Sequence, residues 1–402
     1  GVLSYLAAMQ ATDSDPERDA EPGKILHELR QGEMAQLREV PFGRYYGSVD
    51  STPLFVWLAG AYYDRTGDLR FLRNIWPNIE AALEWIDRFG DIDGDGFIEY
   101  ARRTESGLLQ QGWKDSHDSV FHGEGRLAAG PVALCEVQAY VYAAKYYAAD
   151  VANDLGFPEK SEKLRADAAL LKNRFEQAFW CDEISMYALA LDGEKRQCRV
   201  RNSNAGQCLF TGIASPAHAR RTIESLLSSP LFSGWGVRTI ASSERRYNPM
   251  SYHNGSVWPH DNALIASGAS RYRDKQLALR ILSALLDLSI FTELHRLPEL
   301  ICGFPRRPGK GPTLYPVACA PQAWAAGAVF LVLQSCLGLS IRARESRIHL
   351  HYAALPESLR WVQIRNLKIG NSSLDLIFER TAETVAVDIR RRTGDVEIVA
   401  VK

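Results

Sequence analysis

The apolar residues of this chain keep one period up to about residue 338 and another after it. In the first stretch they recur three and four apart, the mark of helices with one buried face. That spacing predicts helices near 2–11, 24–33, 51–65, 68–89, 131–154, 158–177, 204–212, 215–228, 259–271, 273–289 and 321–337. Consecutive helices joined by turns as short as Gly67-Asp68 must run antiparallel. A succession of such hairpins suits a closed ring, so the expected fold is mainly α, an (α/α)6 barrel over residues 1–338. After Leu339 the period falls to two, in Ile348, Leu350 and Tyr352, then Val362 and Ile364, then Leu374, Leu376 and Phe378, then Val385, Val387 and Ile389, and last Val396 and Ile398. Residues 339–402 are therefore expected to form a small C-terminal β module, too short for a two-layer sandwich by itself.

Charge and cysteine content exclude several functions. The 47 Lys and Arg nearly balance the 48 Asp and Glu, which leaves no basic field for nucleic acid. No apolar run reaches the length needed to span a bilayer, so no membrane partner is expected. The seven cysteines are odd in number and lack CxxC pairs, which argues against a disulfide framework and a zinc site and suits a reducing, cytoplasmic compartment. No His pair has metalloprotease spacing, and no metal is expected at the site. Asp91, Asp93 and Asp95 begin like a calcium loop, but Arg102 stands where the bidentate Glu belongs. A loop tied by its own Asx turns is the expected form, with calcium the lesser alternative and no other cofactor.

The longest connections, about 90–130, 180–203, 229–258 and 290–320, hold most of the Trp, His, Gly and Pro, and long ordered loops at one end of a rigid barrel usually carry function. Two of them each hold a carboxyl in aromatic or apolar company: Gln111-Gly112-Trp113-Lys114-Asp115-Ser116, and Arg296-Leu297-Pro298-Glu299-Leu300 followed by Gly303. A pair of carboxyls among sugar-stacking aromatics is what glycoside hydrolysis requires. A carboxyl beside an indole and out of water keeps its proton to higher pH, which suits Asp115 to a general acid. A loop Asp capping a turn is the bland alternative, as ion pairing with Arg296 or Arg306 is for Glu299. Glu136, beside Gln138 on a mostly apolar helix, is a rival carboxylate. The run from Ser251 to Asn262 gathers His253, Trp258, His260 and Asp261 at a helix start. Pro259 and Asp261 suit that start for local reasons alone. Trp258 and His260 do not, and are read as sugar contacts. Asp50 or Ser51 precedes another helix as its N-cap, and the Asp50 carboxylate is alternatively an acceptor for two sugar hydroxyls. Trp235 and Arg238 add an indole and a cation in a loop, and Lys114 or Arg238 could hold Glu299 ionised.

Taken together, Gly47-Ser48-Val49-Asp50-Ser51-Thr52-Pro53, Gln111 to Asp115, Gly255 to Asn262, Leu297-Pro298-Glu299-Leu300 and Pro321-Gln322-Ala323-Trp324-Ala325 resemble the bacterial amylo-α-1,6-glucosidase (glycogen debranching enzyme) family of the six-hairpin glycosidases. The resemblance runs through the helical part. It implies hydrolysis of α-glucosidic bonds with inversion and without a cofactor, with α-1,6 branch stubs of glycogen or maltodextrin as the substrate. It makes Asp115 the general acid, Glu299 the general base and Asp50 a contact of the nonreducing-end sugar. It sets Trp113, Trp235, Trp258 and His260 in the pocket, and Tyr46, Gln111, Lys114, Glu136, Arg238, Asp261 and Trp324 among the sugar contacts. Inversion implies carboxyls roughly 6.5–9.5 Å apart. Gln207 departs from the family, whose members often carry His there, and the family's usual N-terminal β domain is expected to be absent. Another small glucoside, trehalose-like or sucrose-like, is the alternative substrate. A noncatalytic carbohydrate-binding protein is the alternative class, although binding alone needs neither carboxyl. An (α/α)6 lyase or epimerase using His253 or His260 as base is a third.

Overall fold

The computed structural model describes residues 1–382 and 384–401. Its contacts divide the chain into two units, Gly1–Tyr63 with Asp68–Val200, and Asp64–Gly67 with Arg201–Lys402.

The first unit carries α1 (Val2–Ala8), the short α2 (Glu33–Gln36), α3 (Ser51–Thr66, its last turn counted with the second unit), α4 (Leu69–Trp85), α5 (Cys135–Leu155) and α6 (Pro158–Phe179). Local chemistry sets these limits. Asp68 caps α4 by accepting from the Phe71 amide at 2.9 Å. Along α4, Leu72, Ile75, Trp76, Ile79, Ala82 and Leu83 form one buried stripe. Gly156 ends α5 at φ +94°, and Pro158 opens α6 two residues later, which permits the tight turn between two packed helices. Four two-residue strands, β1 (Ala133–Leu134), β2 (Trp180–Cys181), β3 (Met186–Tyr187) and β4 (Ala190–Leu191), pair as β1 with β4 and β2 with β3. The helix expected at 24–33 is absent. The Ile25 amide donates to Thr52 Oγ1, and Glu28 pairs with Tyr45 in an antiparallel bridge, so tertiary partners override the local helical spacing.

The second unit carries α7 (Asn204–Thr211), α8 (Pro216–Leu227), α9 (Pro259–Arg271), α10 (Lys275–Ser289) and α11 (Ala323–Leu337), with α9 packed against α7, α10 and α11. Ser215 and Asp274 cap α8 and α10 by accepting from the His218 and Leu277 amides. After α11 come β5 (Leu339–Arg342), β6 (Arg347–His351), β7 (Trp361–Ile369), β8 (Ser372–Arg380), β9 (Val385–Thr393) and β10 (Glu397–Val401). They form two three-stranded sheets, β10-β6-β5 with β10 parallel to β6, and the antiparallel meander β7-β8-β9. Ile348 and Leu350 of the first sheet share one buried core with Leu374, Leu376 and Phe378 of the second and Leu337 of α11. These strands form two sheets over one core, and not by themselves, because the end of α11 supplies part of the filling.

Candidate functional site

In the first unit the loop before α3 is laid against the loop of Asp115 by a hydrogen bond from the Val49 amide to the Gln111 carbonyl, 2.8 Å. Ser48 Oγ donates to Asp50 Oδ1 at 2.5 Å and accepts from the Ser51 amide at 3.1 Å, so one hydroxyl fixes the carboxylate and opens the helix. Asp50 is buried, and desolvation raises its carboxyl above the ordinary value, against the lowering effect of the Ser48 bond and of His27. Asp115 is half-buried. Desolvation raises its carboxyl as well; His27 lowers it, while Glu28 and Asp50 add repulsion that raises it further. His27 and Glu28, which face Asp115 electrostatically, were hidden in the sequence inside the expected helix 24–33.

The other first-unit candidates sort by accessibility. Trp113 is half-buried, and the buried Lys114 ammonium lies 5.0 Å from its ring centroid. The Gly112 backbone passes so close to α5 that a Cβ there would stand 2.4 Å from Leu134 Cδ1 and 3.7 Å from Glu136 Oε1. Glu136, in the first turn of α5, is thereby held beside the Asp115 loop, buried to 1% exposure. Gln111 is buried, its amide 3.5 Å from the Leu108 carbonyl. Tyr46 is buried with Ala11, Ala20 and Leu26, and its hydroxyl donates to the Met9 carbonyl at 2.7 Å.

In the second unit a narrow ladder of antiparallel bridges joins Arg238 to Val257, Val257 to Ile301, and Ile301 to Leu314. Glu299 lies at its edge, 7% exposed, with its amide donating to the Cys319 carbonyl at 2.9 Å. Its Oε2 accepts from the Cys319 amide at 3.1 Å, and its Oε1 accepts from the Tyr252 hydroxyl at 2.8 Å and from Gln322 Nε2 at 3.4 Å. Arg238 does not hold it. The Arg238 guanidinium donates instead to the carbonyls of Gly303, Ser229 and Pro230, and burial lowers its proton affinity. Gly303 is the tightest crossing, since a Cβ there would fall 1.6 Å from the Gly255 carbonyl oxygen.

Several aromatic residues of this unit cluster about Trp258. Trp258 is buried, stacks on His253 with centroids 5.2 Å apart, and meets Trp324 edge-on at 5.6 Å. His260 and Trp324 stack at 3.8 Å, with Trp324 still 39% exposed, so Trp324 offers an open ring face. Trp235 is buried between Phe291 and Arg306. Asp261 accepts from Gln207 at 2.5 Å inside the contact of α9 with α7, so this pair ties two helices together.

The loop begun by Asp91 is closed by Asx bonds, with Asp91 accepting from the Gly94 and Gly96 amides. Asp91, Asp93 and Glu99 lie near enough to share an ion. Lys195 already sets its ammonium 2.8 Å from both Asp93 and Asp95 and against Glu99. Burial alone would lower the Lys195 proton affinity, but these three carboxylates raise it. A divalent ion would have to share that space with a charged amine, so the residues fit calcium poorly.

No described helix is long and apolar enough to cross a membrane. The family model described as mannosylglycerate hydrolase MGH1-like glycoside hydrolase domain matches residues 43–295, more than half of the chain. No curated protein matches by sequence. Among solved structures, a protein titled sialidase superposes with a TM-score of 0.63 at 13% identity, over 85% of this chain and 32% of that one. A family GH78 rhamnosidase of a Bacillus species superposes with a TM-score of 0.64 at 16% identity, over 90% and 34%. This chain thus spans about a third of the length of either. A family GH63 mannosylglycerate hydrolase from Thermus thermophilus, in complex with glucose, superposes with a TM-score of 0.55 at 18% identity, over 82% and 91%. At these identities the likeness establishes a shared fold.

Proposed function

Because the chain belongs to the mannosylglycerate hydrolase MGH1-like glycoside hydrolase domain family, we propose that it hydrolyses an α-glucoside by single displacement with inversion, with Asp115 as general acid and Glu299 as general base. In this reading residues 1–338 form an (α/α)6 catalytic barrel and 339–402 an accessory β module. The observation that carries it is the unlike setting of the two carboxyls. Desolvation favours the protonated form of Asp115, and Glu299 accepts hydrogen bonds on both oxygens. Water adds to the anomeric carbon on the face away from the leaving oxygen and gives a proton to Glu299. The glycosidic C–O bond breaks as its oxygen takes the proton of Asp115. Asp50 accepts from sugar hydroxyls, and Trp113 and Trp324, the accessible indoles among the candidates, supply stacking faces. Arg238, Trp235 and Tyr46 support the loops, and Asp261 ties α9 to α7. No cofactor takes part, and seven free thiols suit a reducing compartment.

The substrate proposed is an α-1,6-linked glucosyl stub. A second reading, a hexose α-linked to glycerate, is favoured by the description of the family. Time-resolved NMR of the first sugar released from isomaltose, panose, maltose, trehalose, sucrose, limit dextrin and mannosylglycerate tests both. Release of β-glucose first from isomaltose or panose supports the first substrate, and release of β-mannose from mannosylglycerate supports the second. An α-anomer as first product from any substrate rules out inversion.

A further inference from the structure

We infer that Tyr252 is a positioning residue for Glu299, and that with Gln322 it makes Glu299 Oε2 the oxygen that takes the proton of the attacking water; this rests on the reading of Glu299 as general base. A carboxylate offers about four acceptor positions, two on each oxygen. Among the described residues, Oε1 accepts from both the Tyr252 hydroxyl and Gln322 Nε2, and Oε2 from the Cys319 amide alone. The one position left lies on Oε2. The orientation of the Gln322 amide is set independently, because its Oε1 accepts from the Ala323 amide at 2.8 Å as the cap of α11 and so turns Nε2 towards Glu299.

Tyr252 is itself fixed by its own loop. Its carbonyl accepts from Ser256 Oγ at 2.5 Å and from Trp258 Nε1 at 3.1 Å, and its ring packs against Trp258 and Tyr315 at 4.9 and 5.5 Å. The hydroxyl is thus delivered to Glu299 from a ring that cannot swing away, as a group supporting a functional side chain must be. In the hydrolytic step the water O–H bond breaks, its proton goes to Oε2, and the water oxygen forms the new bond to the anomeric carbon. The leaving oxygen meanwhile receives the Asp115 proton, so the products are a free sugar and an alcohol.

The experiment compares Tyr252→Phe, Asp115→Asn and Glu299→Gln with the wild type on isomaltose and on α-glucosyl fluoride, whose fluoride needs no proton to leave. Tyr252→Phe is expected to lower kcat roughly 10- to 100-fold on both substrates, the worth of a hydrogen bond to a charged group, with KM within about twofold and with folding intact. Because the fluoride spares only the acid, Asp115→Asn recovers on it and Tyr252→Phe does not. Unchanged kcat for Tyr252→Phe, a rise in KM alone, or recovery on the fluoride overturns the assignment of Tyr252. Wild-type turnover by Glu299→Gln overturns instead the reading of the base. A crystal structure of Tyr252→Phe supplies the arm that needs no substrate. A Glu299 carboxylate turned away from the Cys319 amide is expected, and one left in place overturns the positioning role.

Discussion

Asp115 and Glu299 carry the same functional group into opposite surroundings. Around Asp115, in the first unit, the protein withdraws water and sets two further acids, Asp50 and Glu28, against the half-buried imidazole of His27 and a backbone hydrogen bond. Around Glu299, in the second unit, it brings a phenol, a backbone amide and a carboxamide, all donors. One setting adjusts a proton affinity, and the other fixes an orientation. On the roles proposed for them, the division of labour between acid and base follows from the neighbours of each carboxyl.

The largest effect that can break this comparison is catalytic. Glu299→Gln is expected to lower kcat on isomaltose and on α-glucosyl fluoride alike, by about 10²–10⁴. Asp115→Asn should match it on isomaltose only, and equal losses on both substrates for both variants would erase the distinction.

Next in size is the packing of the two loops. Gly303→Ala sets a methyl group against the Gly255 backbone carbonyl, which cannot move without parting two loops, and should cost about 3 kcal/mol in denaturant unfolding. Gly112→Ala meets only the end of the Leu134 side chain, which can rotate aside, and should cost about 1 kcal/mol. Equal costs would mean that both loops are equally yielding.

A smaller effect tests the proton affinity of Asp115 without substrate. Its carboxyl is raised in the folded chain, so its contribution to stability is complete below the ordinary carboxylate value and is lost as pH rises through the raised one. Asp115→Asn should therefore melt higher than the wild type at neutral pH and no higher near pH 3. Equal melting at both pH values would remove desolvation as the cause. The smallest effect concerns the Asp91 loop. Lys195→Met should cost about 0.5–1 kcal/mol, and EDTA should leave the melting of the wild type unchanged. A clear loss of stability in EDTA would show that a metal ion, and not Lys195, holds the loop.

Much of the local structure was legible. Pro158, Pro216 and Pro259 open helices and Gly156 ends one, as their backbone preferences require. The loops of Asp115 and Glu299 stood out by composition. His27 did not, since its segment reads as a helix until Thr52 and Tyr45 capture it. Tyr252 and Gln322 lay inside conspicuous runs, yet nothing in those runs says that both reach Glu299. Arg238 and Asp261 looked like site residues by their chemistry, and in the structure Arg238 binds carbonyls and Asp261 ties α9 to α7.

The sequence by itself determined most of the long helices and the C-terminal strands, because periodicity, caps and turn residues act within a few positions of one another; the stretch 24–33 is an exception, held out of a helix by Thr52 and Tyr45. The sequence also determined which loops are rich in carboxyls and aromatics. Only the tertiary structure decided which donors meet Glu299, that Lys195 reaches Asp93, Asp95 and Glu99 from a distant loop, and how 64 residues found core enough for two sheets. Each of those depends on contacts between segments far apart in the chain, and such contacts leave no periodic trace in it.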